Sequence, residues 1–283
     1  MKFATILHND QRSAALELAS GYLPLPASTL NELLNDADWK FIAQTSLDTH
    51  TEETLIPREQ ITLLNPLPTP HKVICCGLNY SDHILEMGRE LPQYPTLFAK
   101  FADTLTDPNA HITCIHSESV DWEAELVVVV GSTLENASEQ EAAAGIAGYT
   151  IANDISMRDW QRRTLQWFQG KAFDGTTPVG PIMVTGDQLD PEAGLEVICT
   201  LNGEEVQRGN TKTLVFSSAR LLSYISTFTI LRPGDLVLTG TPGGVGMGMT
   251  PPRFLTDGDR LETTIPGIGT LANTFSIKVP ATL

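Results

Sequence analysis

The sequence predicts an α+β chain built mostly of strands, with a small N-terminal α/β domain ahead of a larger β-rich one. Short runs of branched and aromatic residues recur along residues 73–271, among them VICCG, TLFAKF, AELVVVVG, GYTIAND, LEVICTLNG, DLVLTGTP and RLETTIPGIGTL, each bounded by Gly, Pro or Asp turns. That spacing suggests a sandwich or barrel. Helical patterns are fewer, at residues 28–35, 140–147, 157–168 and 217–228, with a short helix starting near Ser81. Four prolines crowd into residues 57–70, PREQITLLNPLPTP, which stiffens that stretch against helix and central strand and sets the domain boundary, with domains at 1–68 and 69–283.

Within the first domain, residues 2–8 read as an opening strand and residues 28–35 as a short helix with Leu30, Leu33 and Leu34 on one face. Neither carries evident chemistry. In the second, Asn202-Gly203 between LEVICTL and EEVQ is a two-residue hairpin signal, since both central positions of a type I′ turn need positive φ. Residues 217–228 place Leu221, Leu222 and Ile225 at helical spacing. The sequence contains no internal repeat and no low-complexity tract.

At 283 residues the chain is long enough to bury a proper core, and 41% apolar with 18% charged residues is an ordinary globular composition. A formal net charge of −16 repels nucleic acid and anionic membrane surfaces, so neither is expected as a partner. The same field opposes an anionic ligand, so an acidic substrate requires a local cation or metal to reverse the potential in the site. Cys75, Cys76, Cys114 and Cys199 lack C-x-x-C spacing, and reduced, buried thiols are the expected state. The start MKFATILHNDQRSAALELA breaks the apolar stretch a signal peptide needs, which points to a cytoplasmic protein.

The chemistry concentrates in five segments. In VDWEAELVVVVG, residues 120–131, Glu123 and Glu125 alternate along a strand and share a face at the mouth of an apolar run. Two converging carboxylates are costly unless a cation compensates them, although solvated glutamates at a strand end would look the same. Asp154 closes GYTIAND where a strand gives way to a helical pattern, as a third carboxylate or as an N-cap. Three carboxylates without nearby His or Cys favour Mg²⁺ or Mn²⁺ over zinc.

In QWFQGKAFDGTTPVGP, residues 166–181, Lys171 sits in a glycine- and proline-dense loop, available to an oxyanion or substrate carboxylate, or paired with Asp174 at the surface. CCGLNYSDHILEMG, residues 75–88, sets His83 and Glu86 at i and i+3 on a short helix, where a carboxylate that charges an imidazole makes a general base for water. LRPGDLVLTGTPGGVGMG, residues 231–248, surrounds Thr241 with glycines and can bring backbone amides to an anion, yet it is neither a P-loop nor a dinucleotide fingerprint.

Taken in order, these segments resemble the fumarylacetoacetate hydrolase superfamily over roughly residues 72–278. G-x-N-Y-x-x-H-x-x-E is Gly77, Asn79, Tyr80, His83 and Glu86; E-x-E-L is Glu123, Glu125 and Leu126; N-D-x-S-x-R-D is Asn153, Asp154, Ser156, Arg158 and Asp159. K-x-F-D-x-x-x-P-x-G-P runs from Lys171 to Pro181, and G-D-x-x-x-T-G-T-P-x-G-V-G from Gly234 to Gly246.

The resemblance implies a mixed β-sandwich roll, a homodimer, and Mg²⁺ or Mn²⁺ held by Glu123, Glu125 and Asp154. It also implies His83 with Glu86 as a water-activating dyad, and Lys171 with Arg158, Gln161, Thr241 and Tyr80 around a small oxo acid. An acylpyruvate or fumarylpyruvate hydrolase-like member is expected, cleaving a carbon–carbon bond to release pyruvate. The rivals in the same pocket are oxaloacetate decarboxylation, hydroxymuconate-type isomerisation and dehydration of a 2-oxo-3-deoxy sugar acid; a non-catalytic binding protein is the rival of another class. Arg162, Arg163, Trp167 and Phe168 face the question of specificity, which the pattern leaves open.

Overall fold

The apolar run at residues 126–130 organises the molecule. Along its strand, Ala124–Val130, successive side chains point to opposite faces, and both faces are covered. Leu126, Val128 and Val130 join one buried cluster, while Val127 and Val129 join another. A strand buried on both sides has no solvent face to mark with polar residues, so it reads as continuous valine.

A computed structural model describes residues 1–86 and 90–278. Its first strands and helices are β1 (Lys2–His8), β2 (Gln11–Glu17), β3 (Tyr22–Pro24), α1 (Leu30–Leu34), α2 (Trp39–Thr49), β4 (Thr62–Leu64), β5 (Val73–Gly77), α3 (Ser81–Glu86) and β6 (Thr96–Lys100). The middle of the chain supplies β7 (Leu105–Thr106), β8 (His111–Ile115), β9 (Val120–Asp121), β10 (Ala124–Val130), α4 (Glu139–Ala144), β11 (Ile146–Asn153), β12 (Ser156–Met157), α5 (Arg158–Gln161), α6 (Phe168–Lys171) and β13 (Thr177–Thr185). The last part supplies β14 (Glu196–Leu201), β15 (Glu204–Asn210), α7 (Ser218–Ser226), β16 (Leu236–Leu238), β17 (Arg260–Ile265) and β18 (Gly269–Lys278).

An 11-stranded mixed sheet runs β3-β2-β1-β13-β11-β10-β16-β5-β6, with β4 on β1 and β7 on β13 off that path. A five-stranded sheet, β15-β14-β17-β18-β8, packs on one face of it. The core between them holds Leu126, Val128, Ile151, Val197, Leu261 and Phe275. The mostly-β α+β sandwich expected from the sequence is the architecture observed.

On the opposite face of the large sheet, α1 and α2 lay Leu30, Leu33, Leu34, Trp39 and Ala43 over Phe3, Leu16, Val127 and Val129. Thr29 caps α1 by accepting the Glu32 amide at 3.2 Å, and Trp39 meets Phe3 edge to face at 5.6 Å. Residues 1–68 thus extend the large sheet through the β1–β13 pairing and share a core with later strands.

Several local expectations are met. Asn202 and Gly203 both have positive φ, 52° and 84°, at the β14–β15 hairpin, and α7 spans Ser218–Ser226. The helix expected at 157–168 differs: only α5 forms, residues 162–167 leave the helix, and α6 makes a second turn. Tertiary packing decides this, because the chain folds back to set Gly170 against α5, where a Cβ would lie 2.5 Å from the Met157 carbonyl oxygen. The proline-rich boundary likewise contains β4, paired with β1.

Candidate metal centre and its cleft

Strands β10 and β11 pair antiparallel with Glu125 opposite Ala152, which brings the start of one to the end of the other. Glu123 just precedes β10, Glu125 lies within it, and Asp154 just follows β11. Backbone and side chain lock that corner: Asp154 N–H donates to Glu123 O at 2.8 Å, and Glu123 N–H donates to Asn153 Oδ1 at 2.9 Å. Asn153 Nδ2 in turn donates to Thr263 Oγ1 of the second sheet at 2.9 Å. Asp154 is not the N-cap of α5, a position that falls to Met157. One oxygen from each of Glu123, Glu125 and Asp154 lies within 4.8 Å of the others.

Three cations surround these acids. Lys171, buried at the end of α6, reaches Glu123 Oε2 at 2.7 Å and Asp154 Oδ2 at 2.8 Å, so it is not a surface partner of the exposed Asp174. Lys100, at the end of β6, contacts the other Asp154 oxygen. Arg158 Nη1 pairs with Glu123 Oε1 at 2.7 Å and donates to Gln161 Oε1 at 2.9 Å, and Nε donates to Asp121 Oδ2 at 2.8 Å. Asp121 also accepts the amides of Trp122, Gly246 and Met247 at 2.8, 2.7 and 3.0 Å, which ties the glycine-rich turn to Arg158. Gly246 must be glycine there, since a Cβ would stand 1.9 Å from Arg253 O and 2.8 Å from Asp121 Oδ1.

Sequence reasoning missed Lys100 and Asp121. Lys100 meets Asp154 across 54 residues and belongs to no local spacing, whereas Asp121 lies two residues before Glu123 but has its side chain turned to the glycine turn.

Glu125 stands apart. Its Oε2 accepts the Gly240 amide at 2.6 Å, and among the described residues no cation touches it. Burial, reinforced by the charges of Asp154 and Glu123, pushes its carboxyl well above the usual carboxylate range. Asp154 is buried too, but Lys100 and Lys171 outweigh the desolvation and hold it below the ordinary value. Lys171 mirrors this: burial favours the neutral amine, and the charges of Asp154 and Glu123 more than offset that.

Among the described residues, the acids Asp121, Glu123, Glu125 and Asp154 therefore face Lys100, Lys171 and Arg158 with one positive charge missing, at Glu125. An all-oxygen donor set around an uncompensated, buried carboxylate fits a hard divalent cation such as Mg²⁺ or Mn²⁺. Its charge would also turn the local balance positive, which an anionic ligand requires in so acidic a chain.

Glu123 and Glu125 open onto a cleft of about 490 Å³ that Tyr80, Arg158, Gln161 and Thr241 also line. Lys171 and Asp154 lie behind this floor, both at 1% exposure or less. Two buried donors at the cleft, Tyr80 Oη and Arg158 Nη2, have no hydrogen-bond partner among the described residues. Thr241 Oγ1 accepts from Gln207 Nε2 at 2.9 Å, and Gln207 Oε1 accepts the Ala124 amide at 3.0 Å. The backbone of α3 begins directly after Tyr80, but the side chains of His83 and Glu86 lie outside the described residues. A second, larger cleft of about 690 Å³, near residues 185–192 and 211–219, contains none of these groups.

Residues 72–276 match the family model described as fumarylacetoacetate (FAA) hydrolase C-terminal. The chain belongs to the fumarylacetoacetate hydrolase family. Among the family's curated members it is 43% identical over 221 residues to the mitochondrial oxaloacetate tautomerase Fahd2a of Rattus norvegicus, covering 77% of this chain and 71% of that protein. The fumarylacetoacetate hydrolase of psychrophilic Exiguobacterium antarcticum superposes with a TM-score of 0.84 at 32% identity, covering 99% of this chain and 100% of that one. The 5-carboxymethyl-2-hydroxymuconate delta-isomerase of Mycobacterium smegmatis does so with a TM-score of 0.81 at 31% identity, covering 98% and 100%. Tautomerase, hydrolase and isomerase are thus all names borne by similar proteins.

Proposed function

We propose that the protein interconverts the enol and keto forms of a short 2-oxo dicarboxylic acid such as oxaloacetate, with Mg²⁺ or Mn²⁺ held by Glu123, Glu125 and Asp154. The observation that carries this reading is the buried carboxylate floor, one cation short at Glu125 and open to a cleft. The 43% identity to a protein named for oxaloacetate tautomerisation supports the choice of reaction. No helix of the described residues is long and apolar enough to cross a membrane.

When bound, the metal supplies a Lewis acid for the substrate's carboxylate and 2-oxo oxygens. Lys100 and Lys171 keep Asp154 ionised, Arg158 and Lys171 fix both oxygens of Glu123, and the Gly240 amide fixes Glu125. Tyr80 Oη and Arg158 Nη2, at the cleft and unpartnered among the described residues, are donors for substrate oxygens. Ketonisation removes the proton of the C2 hydroxyl and adds one at C3; in this reading His83 with Glu86, the pair the family resemblance gives for activating water, carries that proton instead.

Hydrolysis of an acylpyruvate to pyruvate and a carboxylic acid is the second reading. The G-x-N-Y-x-x-H-x-x-E element and the likeness to a fumarylacetoacetate hydrolase favour it. The two separate in one assay series with Mn²⁺: loss of enol absorbance from oxaloacetate, with pyruvate release followed in parallel, and the same protein given acylpyruvates. Faster ketonisation without pyruvate supports tautomerisation, and acylpyruvate cleavage without it supports the second reading. Metal-bound, folded protein that does neither overturns both. A homodimer and a cytoplasmic location belong to the same proposal, the latter set against curated relatives whose names place them in mitochondria.

A further inference from the structure

Residues 158–163 contain three arginines with different partners. Arg158 is engaged with Asp121, Glu123 and Gln161 through Nε and Nη1, which holds it to the floor and leaves only Nη2 for a ligand there. Arg163 lays its guanidinium on the Trp160 ring, with Cζ 3.5 Å from the centroid. Arg162, between them in chain order, is exposed and lines the cleft, and its side chain donates from Nη2 to Met247 Sδ at 2.8 Å. A thioether is a weak acceptor, and among the described residues no carboxylate pairs with Arg162.

The rim beside this charge is tied to the floor. Met247 N–H donates to Asp121 Oδ2 at 3.0 Å, and the same oxygen takes Arg158 Nε at 2.8 Å. One acid therefore holds the Met247 side of the rim to the arginine of the floor. Between floor and rim, Phe98, Trp167 and Val245 give the cleft apolar walls suited to a short carbon chain. A guanidinium on the rim, a metal-ready floor and an apolar span between them match a molecule that is anionic at both ends.

We infer that Arg162 anchors the distal carboxylate and so selects 2-oxo dicarboxylates over 2-oxo monocarboxylates. The inference rests on the floor being the seat of the 2-oxo acid end, as proposed above. The planar fork of Arg162 matches a carboxylate through two parallel hydrogen bonds, and leaving the Met247 sulfur forfeits only a weak contact.

The test is titration calorimetry on the Mg²⁺-loaded full chain with 2-oxoglutarate and 2-oxobutyrate. Wild type, Arg162→Met, Arg162→Lys and Arg163→Met are compared, each checked for fold by circular dichroism. Wild type is expected to bind the diacid more tightly, and Arg162→Met to lose about 10- to 100-fold for the diacid alone, the range of one charge-assisted pair. Arg162→Lys recovers part of the loss. Arg163→Met, which removes the same charge from the same turn, keeps the wild-type preference. No preference in wild type, a preference retained in Arg162→Met, or an equal loss in Arg163→Met overturns the inference. A preference that depends on Arg162 in a protein that fails to ketonise oxaloacetate overturns the reaction proposed above and leaves this inference standing, whereas wild type that binds neither acid overturns both.

Discussion

The two ends of the β10–β16 pairing each bury an acid, and the two acids are satisfied by different kinds of partner. At one end Asp235 is fully buried, and its carboxylate oxygens accept the amides of Lys72 at 2.8 Å and Arg232 at 2.9 Å, which closes the turn into β16. At the other end Glu125 is 2% exposed, takes a single amide from Gly240, and faces a cleft beside two more acids. Burial pushes both carboxyls upward, so depth alone does not separate structure from function. Backbone amides complete Asp235, whereas Glu125 has a positive charge left to gain.

Glu125→Gln should produce the largest effect. Glutamine keeps the Gly240 contact but removes the charge, so metal-dependent turnover should fall by more than the roughly 10- to 100-fold that loss of an outer partner costs. Steady-state rates against Mn²⁺ concentration read this, and a variant with wild-type rates would remove Glu125 from the site. Lys100→Met comes next, because it leaves half of the buried Asp154 charge unanswered. About 3 kcal/mol of stability should go in urea titrations, together with weaker Mn²⁺ binding.

Asp235→Ala sharpens the contrast from the structural side. Two amides lose their acceptor, so about 2–3 kcal/mol of stability should be lost while the folded fraction binds Mn²⁺ with wild-type affinity. A weakened metal site in this variant would mean that the two ends are coupled. Thr241→Val should do least: it deletes the acceptor of Gln207 at the cleft wall and should raise KM by about tenfold or less, with kcat and the melting temperature little changed.

Much of the candidate site was legible because its three carboxylates lie at the ends of strands with a strong apolar pattern. Glu123 and Glu125 precede the valine run and Asp154 follows the next apolar strand, so the antiparallel pairing of the two strands brings them together. Tyr80, Arg158 and Thr241 stood in motifs and Gln161 followed from the family resemblance, and all four line the cleft. Lys100 was not, because an ion pair between β6 and the end of β11 leaves no trace in either segment. The break between α5 and α6 was missed for a related reason: helical periodicity at 157–168 is real, but the packing of Gly170 on α5 overrides it. Residues 1–68 read as a small α/β domain from their strand and helix patterns and the prolines after them, and the antiparallel pairing of β1 with β13 is long-range, which local pattern does not carry.

The central claim is that the charge missing at Glu125 is that of a divalent metal. Mn²⁺ titrated into wild type and Glu125→Gln, followed by calorimetry with thermal melts on the same samples, tests it most directly. The account predicts one saturable site per chain in wild type with a raised melting temperature, and in Glu125→Gln a fold at least as stable without metal and no saturable binding. Wild type that binds no Mn²⁺, or a Glu125→Gln variant that binds it with wild-type affinity, would contradict the account.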